Sequence, residues 1–297
     1  MKLSDARKQY LKDLLEMCCR DCKDIDSINL YDYITSSIEV CIPDSFASEF
    51  YDNYLEDLVY LWILIEIGQL GSVSMLMSQE EPNLMVSNLI RAICNSVYSV
   101  LHLSIHGLDY SAKIILRILM EQYMILLSTT VDKNKRMDYI NAWESADATK
   151  AWYKHFSKKR FVEFINKYFS HKTIGPSGII DWIEEKYSHY SGYVHNDYPN
   201  IYLWSYAEIG EDQLKPNLCG EYITRNFDLM CDCFFTAFCF DLMFFNMLED
   251  PNVDLSINGL FENDLLHVKT TKDMNKFKLW LGSLIVLFES EGSQDQS

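Results

Sequence analysis

Apolar residues recur three or four positions apart along almost the whole chain. Leu11, Leu14, Leu15 and Cys18 show this spacing near the start, and it is the period of one face of an α-helix. Only 11 Gly and 6 Pro interrupt the 297 residues, so breaks between helices are few. We find no internal repeat and no series of alternating strand patterns. The sequence therefore predicts an all-α fold.

Capping and turn residues divide this pattern into helices. The predicted helices cover residues 3–22, 28–41, 44 or 45 to 68 or 71, 82–105, 109–131, 136–169, 179–190 and 221–248, and a last one ends near 288. Residues 175–178 are expected to form a turn, and 192–216 an irregular aromatic segment. The predicted organisation is an N-terminal helical region (1–81), a helical bundle (82–250), a C-terminal helix (251–288) and a disordered polar tail (289–297).

Cysteine use and hydropathy indicate a cytoplasmic chain. The nine cysteines are an odd number in positions that suit helix interiors, which favours reduced thiols over a disulfide framework. The first residues lack the apolar stretch of a secretory signal. No segment is expected to reach the roughly 20 apolar residues that a membrane span needs. The best candidates, Leu58–Ile67 and Phe234–Leu248, are interpreted as core helices, and no membrane contact is predicted.

Charge is distributed unevenly over the chain. The net charge of −17 argues against a surface that binds nucleic acid indiscriminately. Residues 150–172 nevertheless hold seven basic residues against one acid, so this basic segment carries +6. Its candidate RNA-binding residues are Lys150, Lys154, Lys158, Lys159 and Arg160. Aromatic residues interleave with them and could stack bases. The alternative is that the aromatics are core and the lysines form the solvated face.

Charged residues also interrupt the apolar helix predicted over 109–131. Asp109, Lys113, Arg117 and Glu121 follow one another at four-residue spacing and form one stripe. A solvated stripe would contain two ion pairs worth roughly a few tenths of a kcal/mol each. Met120 and nearby apolar residues share that side, however, which favours a partly buried Arg117–Glu121 pair. Such a pair either braces two helices or lines a functional site.

A polar stretch rich in Tyr, Ser and His spans residues 187–197. His195 follows Gly192 and precedes Asn196, so it is expected at a helix end, where its imidazole can serve as general acid or base near neutral pH. Tyr187 and Ser191 lie eight and four residues before His195 and share its face if the helix continues. The alternative is that His195 anchors an aromatic-rich loop.

Other motifs are weaker. His102 and His106 are one helical turn apart, but Leu103 stands where a zincin has Glu, so a metal site with Glu121 is only a minor alternative. A single C-x-x-C, Cys19 to Cys22, has no second Cys/His pair at zinc-ribbon spacing. The chain has no nucleophile elbow, phosphate-binding loop or dinucleotide fingerprint. No metal or other cofactor is predicted.

The helix Gly107–Tyr123, followed by the stretch Tyr187–His195, resembles an uncharacterised family of bacterial helical proteins. In that family an R-x-x-x-E helix precedes a Tyr/Ser stretch that ends in His. The family in turn resembles the HEPN (higher eukaryotes and prokaryotes nucleotide-binding) helical bundles of toxin–antitoxin, abortive-infection and phage-defence systems. The resemblance covers about residues 83–248 and rests on short motifs.

The resemblance implies an HEPN-like up-and-down helical bundle with extra N-terminal and C-terminal helices. It carries over Arg117, Glu121 and His195 as catalytic positions of a metal-independent endoribonuclease. Supporting residues are then Tyr187, Ser191 and Asn196. The implied partners are RNA, a protein of a defence or toxin–antitoxin system, and a second copy of the chain.

The chain also departs from the HEPN pattern. HEPN ribonucleases typically carry Arg and His four to six residues apart, and none of the seven arginines here is followed by His at that spacing. Two function classes therefore stay open. One is a metal-independent endoribonuclease. The other is a non-catalytic helical interaction module that binds a basic protein partner through its acidic surface.

Overall fold

The computed structural model describes residues 5–20, 30–32, 34–36, 61, 64–65, 81–144, 148–170, 177–195, 206–208, 214–216, 225–248, 250 and 252–253. Its helices are α1 (Asp5–Cys19), α2 (Glu81–Ile105), α3 (Asp109–Val131), α4 (Lys133–Glu144), α5 (Ala148–Ala151), α6 (Lys158–Phe169), α7 (Ser177–Val194) and α8 (Arg225–Leu248), with a π-helical turn at Trp152–Phe156. A short antiparallel hairpin pairs β1 (Tyr206–Glu208) with β2 (Leu214–Pro216), Tyr206 opposite Pro216. The predicted all-α fold is confirmed.

Two predicted helices agree closely with the structure. Helix α3 has the predicted bounds, and α2 has Pro82 in its first turn, where the missing N–H of proline costs nothing. Gly107 separates the two helices with a φ of 68°, a left-handed conformation that glycine adopts without strain. This glycine is the physical reason that the boundary could be predicted.

The prediction of one continuous helix over residues 136–169 was wrong. The described residues of this range lie in α4, α5, the π-helical turn and α6, and residues 145–147 are outside the described part. The helix is interrupted at Ser157, whose ψ of 153° is extended rather than helical. No proline or glycine marks this break, so the residue pattern gave no sign of it.

Helix α7 is longer than predicted at both ends. Ser177 and Gly178 belong to its first turn rather than to a separate turn, and it continues through Gly192 to Val194. The prediction of an irregular segment over 192–216 is therefore wrong at residues 192–194, which are helical, and at the two hairpin strands β1 and β2. Glycine was treated as a breaker, but close to a helix end its cost is about 1 kcal/mol or less, which packing readily offsets.

Several predictions fall partly or wholly outside the described residues. Within the helices predicted over 28–41 and 44–71, the described residues 30–32, 34–36, 61, 64 and 65 are helical. The last helix, to about 288, and the polar tail over 289–297 lie outside the described residues. Asn196 lies outside them as well.

The chain divides into two compact units. One consists of Met1–Cys94 with Ser256–Ser297, and the other of Asn95–Leu255. In the first unit, Leu11, Leu14 and Leu15 of α1 are at most 2% exposed, as their helical spacing predicts. The division into four segments at 81, 250 and 288 stays a prediction.

Helix α3 is the centre of the second unit and packs against α7 and α8. Leu116, Leu119 and Met124 are fully buried, and each such side chain contributes roughly 1.5–3 kcal/mol when removed from water. Tyr123 stacks on Phe240 of α8, with ring centroids 5.0 Å apart. Because α3 is enclosed in this way, its charged residues have to find partners inside the protein.

Two described helices are long and apolar enough to cross a membrane by length and composition, Leu84–Ser104 and Asp109–Val131. The expectation that no segment meets this test was therefore wrong. In the most apolar window of these helices, 61% and 56% of the residues are buried inside the protein. A core helix of a globular protein passes the same test, so length and composition do not distinguish a membrane span from a core helix.

Candidate functional site

Helix α7 brings Tyr187 and Ser191 to the Arg117–Glu121 pair of α3. Arg117 donates a 2.9 Å hydrogen bond from Nε to the Ser191 hydroxyl and a second one from Nη2 to the Tyr187 hydroxyl. Its guanidinium carbon lies 3.3 Å from the centre of the Tyr187 ring. Four of the predicted site residues therefore form one cluster, although about 70 residues of sequence separate the two pairs.

The Tyr187 hydroxyl connects the two charges of this cluster. It receives the bond from Arg117 and donates one of 3.2 Å to Glu121 Oε1. Burial raises the pKa of Tyr187 well above its usual value, and the charge of Glu121 raises it further while Arg117 opposes the shift. Tyr187 is therefore a neutral phenol over the physiological range.

The Arg117–Glu121 pair is partly buried, with side chains 13% and 29% exposed. Arg117 Nη1 contacts Glu121 closely as an ion pair, but this nitrogen is buried and no partner in the described part of the chain is aligned for a hydrogen bond to it. The Glu121 carboxylate and the aligned bonds to Tyr187 and Ser191 together compensate for the partly buried charge. The arrangement fits both a brace between α3 and α7 and a preorganised cation.

A second charged pair lies one turn earlier on α3 and is more deeply buried. Lys113 contacts Asp109 at 3.3 Å and donates a 3.2 Å hydrogen bond to the Tyr193 hydroxyl of α7. Tyr110 of α3 donates to the Tyr193 backbone carbonyl at 3.0 Å. Asp109 is 0% exposed and Lys113 is 6% exposed, so the burial favoured for Arg117 and Glu121 extends to this pair, and the alternative of a solvated stripe is wrong.

His195 lies immediately beyond α7 and is exposed. Its backbone N–H donates to the Ser191 carbonyl at 3.1 Å, so the helical turn extends to it, as expected for a residue at a helix end. The four-residue step places it roughly 6 Å further along the helix axis than Ser191. No described side chain forms a hydrogen bond to its imidazole, and the aromatic residues after it lie outside the described part.

Lys158, at the start of α6, links the basic segment to α7. Its Nζ donates a 3.0 Å hydrogen bond to the Ser188 hydroxyl and lies 5.9 Å from the centre of the Tyr187 ring. Sequence reasoning assigned Lys158 to a basic face without this contact. No local signal reveals a contact between residues thirty positions apart.

The remaining basic residues are mostly on the surface. Lys150, Lys154, Lys159 and Arg160 are exposed, and Lys172 lies outside the described residues. Lys154 pairs with Asp138 at 2.8 Å, and Arg160 pairs with Glu163 at 3.0 Å. A large part of this segment's positive charge therefore faces solvent.

The aromatic residues of the basic segment divide into two groups. Phe156, Phe161 and Phe169 are buried, as the core alternative predicts. Tyr153 is 70% exposed and is the most exposed large hydrophobic side chain in the described part of the chain. The buried rings cannot stack on bases, so stacking by the segment as a whole is excluded. Tyr153 differs from them because it is accessible to solvent.

The π-helical turn also orients His155, which sequence reasoning did not single out. Its Nε2 lies 2.6 Å from Asp138 Oδ2, and the same oxygen accepts a bond from Lys154. The hydrogen bonds from Lys154 and His155 lower the pKa of Asp138. This carboxylate therefore fixes the turn to α4.

His189 on α7 was likewise not singled out. Its exposed ring makes edge contacts with Tyr190 and Tyr193, with centroids 5.0 Å and 5.5 Å away. Although the residue is exposed overall, partial desolvation of its imidazole lowers the pKa of His189, and the positive charges of Lys113 and Lys186 lower it further. His189 is therefore held in its neutral form more strongly than a free histidine.

The minor alternative of a metal site with His102, His106 and Glu121 is not assembled in the structure. The two imidazole rings contact each other edge to face, 4.4 Å apart, but Glu121 is bonded to Arg117 and Tyr187. Among the described residues, no group of three His, Cys, Asp or Glu side chains could hold a metal ion.

Comparison with known proteins gives no relative: no family model, no curated protein and no solved structure matches the chain. The site must therefore be interpreted from its own chemistry.

Proposed function

We propose that the protein is an HEPN-like helical protein of a bacterial defence or stress system, and that it is a metal-independent endoribonuclease. One observation carries the proposal. Helix α7 contacts Arg117 through Ser191 and Lys158 through Ser188, and the exposed His195 follows at the end of the same helix. A cation within the fold, a basic surface and an accessible imidazole thus meet on one element.

In the proposed reaction His195 accepts the proton of a ribose 2′-hydroxyl. The resulting oxygen attacks the neighbouring phosphorus, and the bond to the 5′-oxygen of the next nucleotide breaks. The protonated His195 then returns its proton, directly or through water, to that 5′-oxygen, so the products are a 2′,3′-cyclic phosphate and a 5′-hydroxyl and the imidazole is neutral again. No metal is required, because the attacking and leaving groups belong to the RNA itself.

Arg117 is the proposed source of charge stabilisation for the phosphorus centre. A guanidinium has five N–H donors, and two of those on Arg117 are used by aligned bonds to α7. Glu121 is then a positioning residue, because it pairs with the guanidinium. RNA would approach along the exposed residues Lys150, Lys154, Lys159 and Arg160, and reach α7 at Lys158.

The proposal is tested by incubating the purified protein with total bacterial RNA in EDTA. A His195→Ala variant of equal thermal stability should lose the cleavage, and His102→Ala is the matched control because His102 is an exposed histidine elsewhere on the same unit. We expect the parent and His102→Ala to cleave. Equal cleavage by His195→Ala would remove His195 from the site, and absence of cleavage by the parent would contradict the activity.

A second candidate is a non-catalytic interaction module that binds a basic protein partner. It is favoured by the buried state of Arg117 Nη1 and by the number of contacts that tie Arg117 to Tyr187, Ser191 and Glu121. In this case the pair is a brace, and the net charge of −17 provides the binding surface. The two candidates differ in whether a well-folded variant without Arg117 keeps its function.

A further inference from the structure

We infer that Tyr153 is a stacking platform for an unpaired base of the RNA, at the point where the basic segment meets α7. The inference rests on the proposed function, because it names the form of RNA that the same site would take. Tyr153 lies in the π-helical turn Trp152–Phe156, which presents its ring to solvent while Phe156 is 1% exposed.

Exposure distinguishes Tyr153 from its neighbours in the basic segment. Tyr153 is 70% exposed, so its side chain is accessible to a ligand. Every base has a π-face, so an exposed aromatic ring stacks on bases with little sequence preference. Stacking requires that the base be unpaired, which favours single-stranded RNA over a duplex.

Two exposed lysines lie close to Tyr153 in sequence. Lys154 follows it directly in sequence, with a side chain 67% exposed, and Lys150 lies three residues earlier and is exposed. Lys154 is paired with Asp138, so its contribution is smaller than that of an unpaired lysine. A ring that stacks a base and lysines that neutralise adjacent phosphates are the two parts of a single-strand binding groove.

Tyr153 lies five residues before Lys158, the residue of the basic segment that bonds to Ser188 of α7. Burial is the main cause that raises the pKa of Tyr187, and the Tyr153 phenol adds to that shift. Lys158 Nζ lies 5.9 Å from the centre of the Tyr187 ring. A base held on Tyr153 would therefore bring the neighbouring phosphates toward Lys158 and the α7 face.

The test is the affinity of a short fluorescein-labelled single-stranded RNA, measured by anisotropy in EDTA in a His195→Ala background that prevents cleavage. Tyr153→Ala should weaken binding about 5- to 150-fold, the range for loss of one stacked base. Tyr153→Phe should bind as the parent does, because stacking needs the ring and not the hydroxyl. Tyr98→Ala is the matched control, because Tyr98 is a 44% exposed tyrosine on α2 outside the basic segment.

Three results would overturn the inference: unchanged affinity in Tyr153→Ala, an equal loss in Tyr98→Ala, or equal affinity for a duplex of the same sequence. With unchanged affinity, the exposed ring would instead point to a protein contact. The proposed function is tested separately, by RNA cleavage with the parent protein, which retains His195. RNA binding that depends on Tyr153, without cleavage, would reject the proposed chemistry and support this inference. Cleavage that Tyr153→Ala does not affect would support the proposed chemistry and reject this inference.

Discussion

Replacement of Arg117 by methionine tests what the partly buried ion pair does for stability. Arg117→Met removes the aligned bonds to Ser191 and Tyr187 and leaves Glu121 without its cation. Removing one partner of a fully buried pair costs about 3–5 kcal/mol. Because Glu121 is 29% exposed, water solvates part of its charge, and we expect a loss of about 2–3 kcal/mol in the free energy of unfolding.

The double variant Arg117→Met/Glu121→Leu should recover part of this loss. It leaves no uncompensated charge, and its apolar side chains lie beside the buried Met120 and Met124. The Tyr187 hydroxyl still loses both of its partners, so a net cost of about 1 kcal/mol remains. The double variant should therefore be about 1–2 kcal/mol more stable than Arg117→Met alone. A double-mutant cycle gives the coupling as the loss in the double variant minus the losses in Arg117→Met and Glu121→Leu measured separately.

The assay is urea unfolding followed by far-UV circular dichroism. Arg160 and Glu163 provide the matched control, since they form an Arg–Glu pair on α6 with side chains 56% and 50% exposed. The same cycle there should give a coupling of about 0–1 kcal/mol. The reasoning is refuted if Arg117→Met is no more destabilising than Arg160→Met, or if the double variant is as unstable as Arg117→Met alone.

Three further predictions concern α7 and α6. Tyr187→Phe keeps the ring beneath the guanidinium but loses the bridging hydroxyl, so urea unfolding should show a free energy of unfolding lower by about 1–2 kcal/mol. An unchanged free energy of unfolding would mean that the bridging hydroxyl does not stabilise the fold. Folding lowers the pKa of His189 below its ordinary 6.5, so the unfolded chain binds that proton more readily and stability falls as the pH drops below about 6.5. His189→Asn should reduce this acid sensitivity in urea midpoints measured across that range, and an unchanged pH dependence would contradict the assignment. Lys158→Gln should weaken RNA binding and lower the slope of log affinity against log salt by about 0.7, whereas the exposed Lys133→Gln on α4 should change neither.

The sequence was sufficient for features that local chemistry determines. Helix α3 could be bounded because Gly107 adopts a positive φ before it, and the burial of α1 follows from its helical spacing. Arg117, Glu121, Tyr187 and Ser191 were placed in one candidate site through the family resemblance, and the structure brings these four residues together. The residue pattern alone was sufficient for the fold class.

Features that depend on tertiary contacts could not be predicted in this way. The bond from Lys158 to Ser188 and the pair formed by His155 and Asp138 join residues on different elements, and neither leaves a local signature. The partial burial of the Arg117–Glu121 pair was expected from the apolar residues on the same side, but four-residue spacing alone does not show that Lys113 bonds to Tyr193 of α7. The break at Ser157 has no proline or glycine to mark it.

The central claim is that α7 assembles a metal-independent RNA-cleaving site, and the chemistry of the product ends tests it most directly. A defined single-stranded RNA is incubated with the protein in EDTA, and its fragments are analysed by mass spectrometry. We predict 2′,3′-cyclic phosphate and 5′-hydroxyl ends that disappear in His195→Ala. Intact RNA, or 3′-hydroxyl and 5′-phosphate ends that require added metal, would contradict the account.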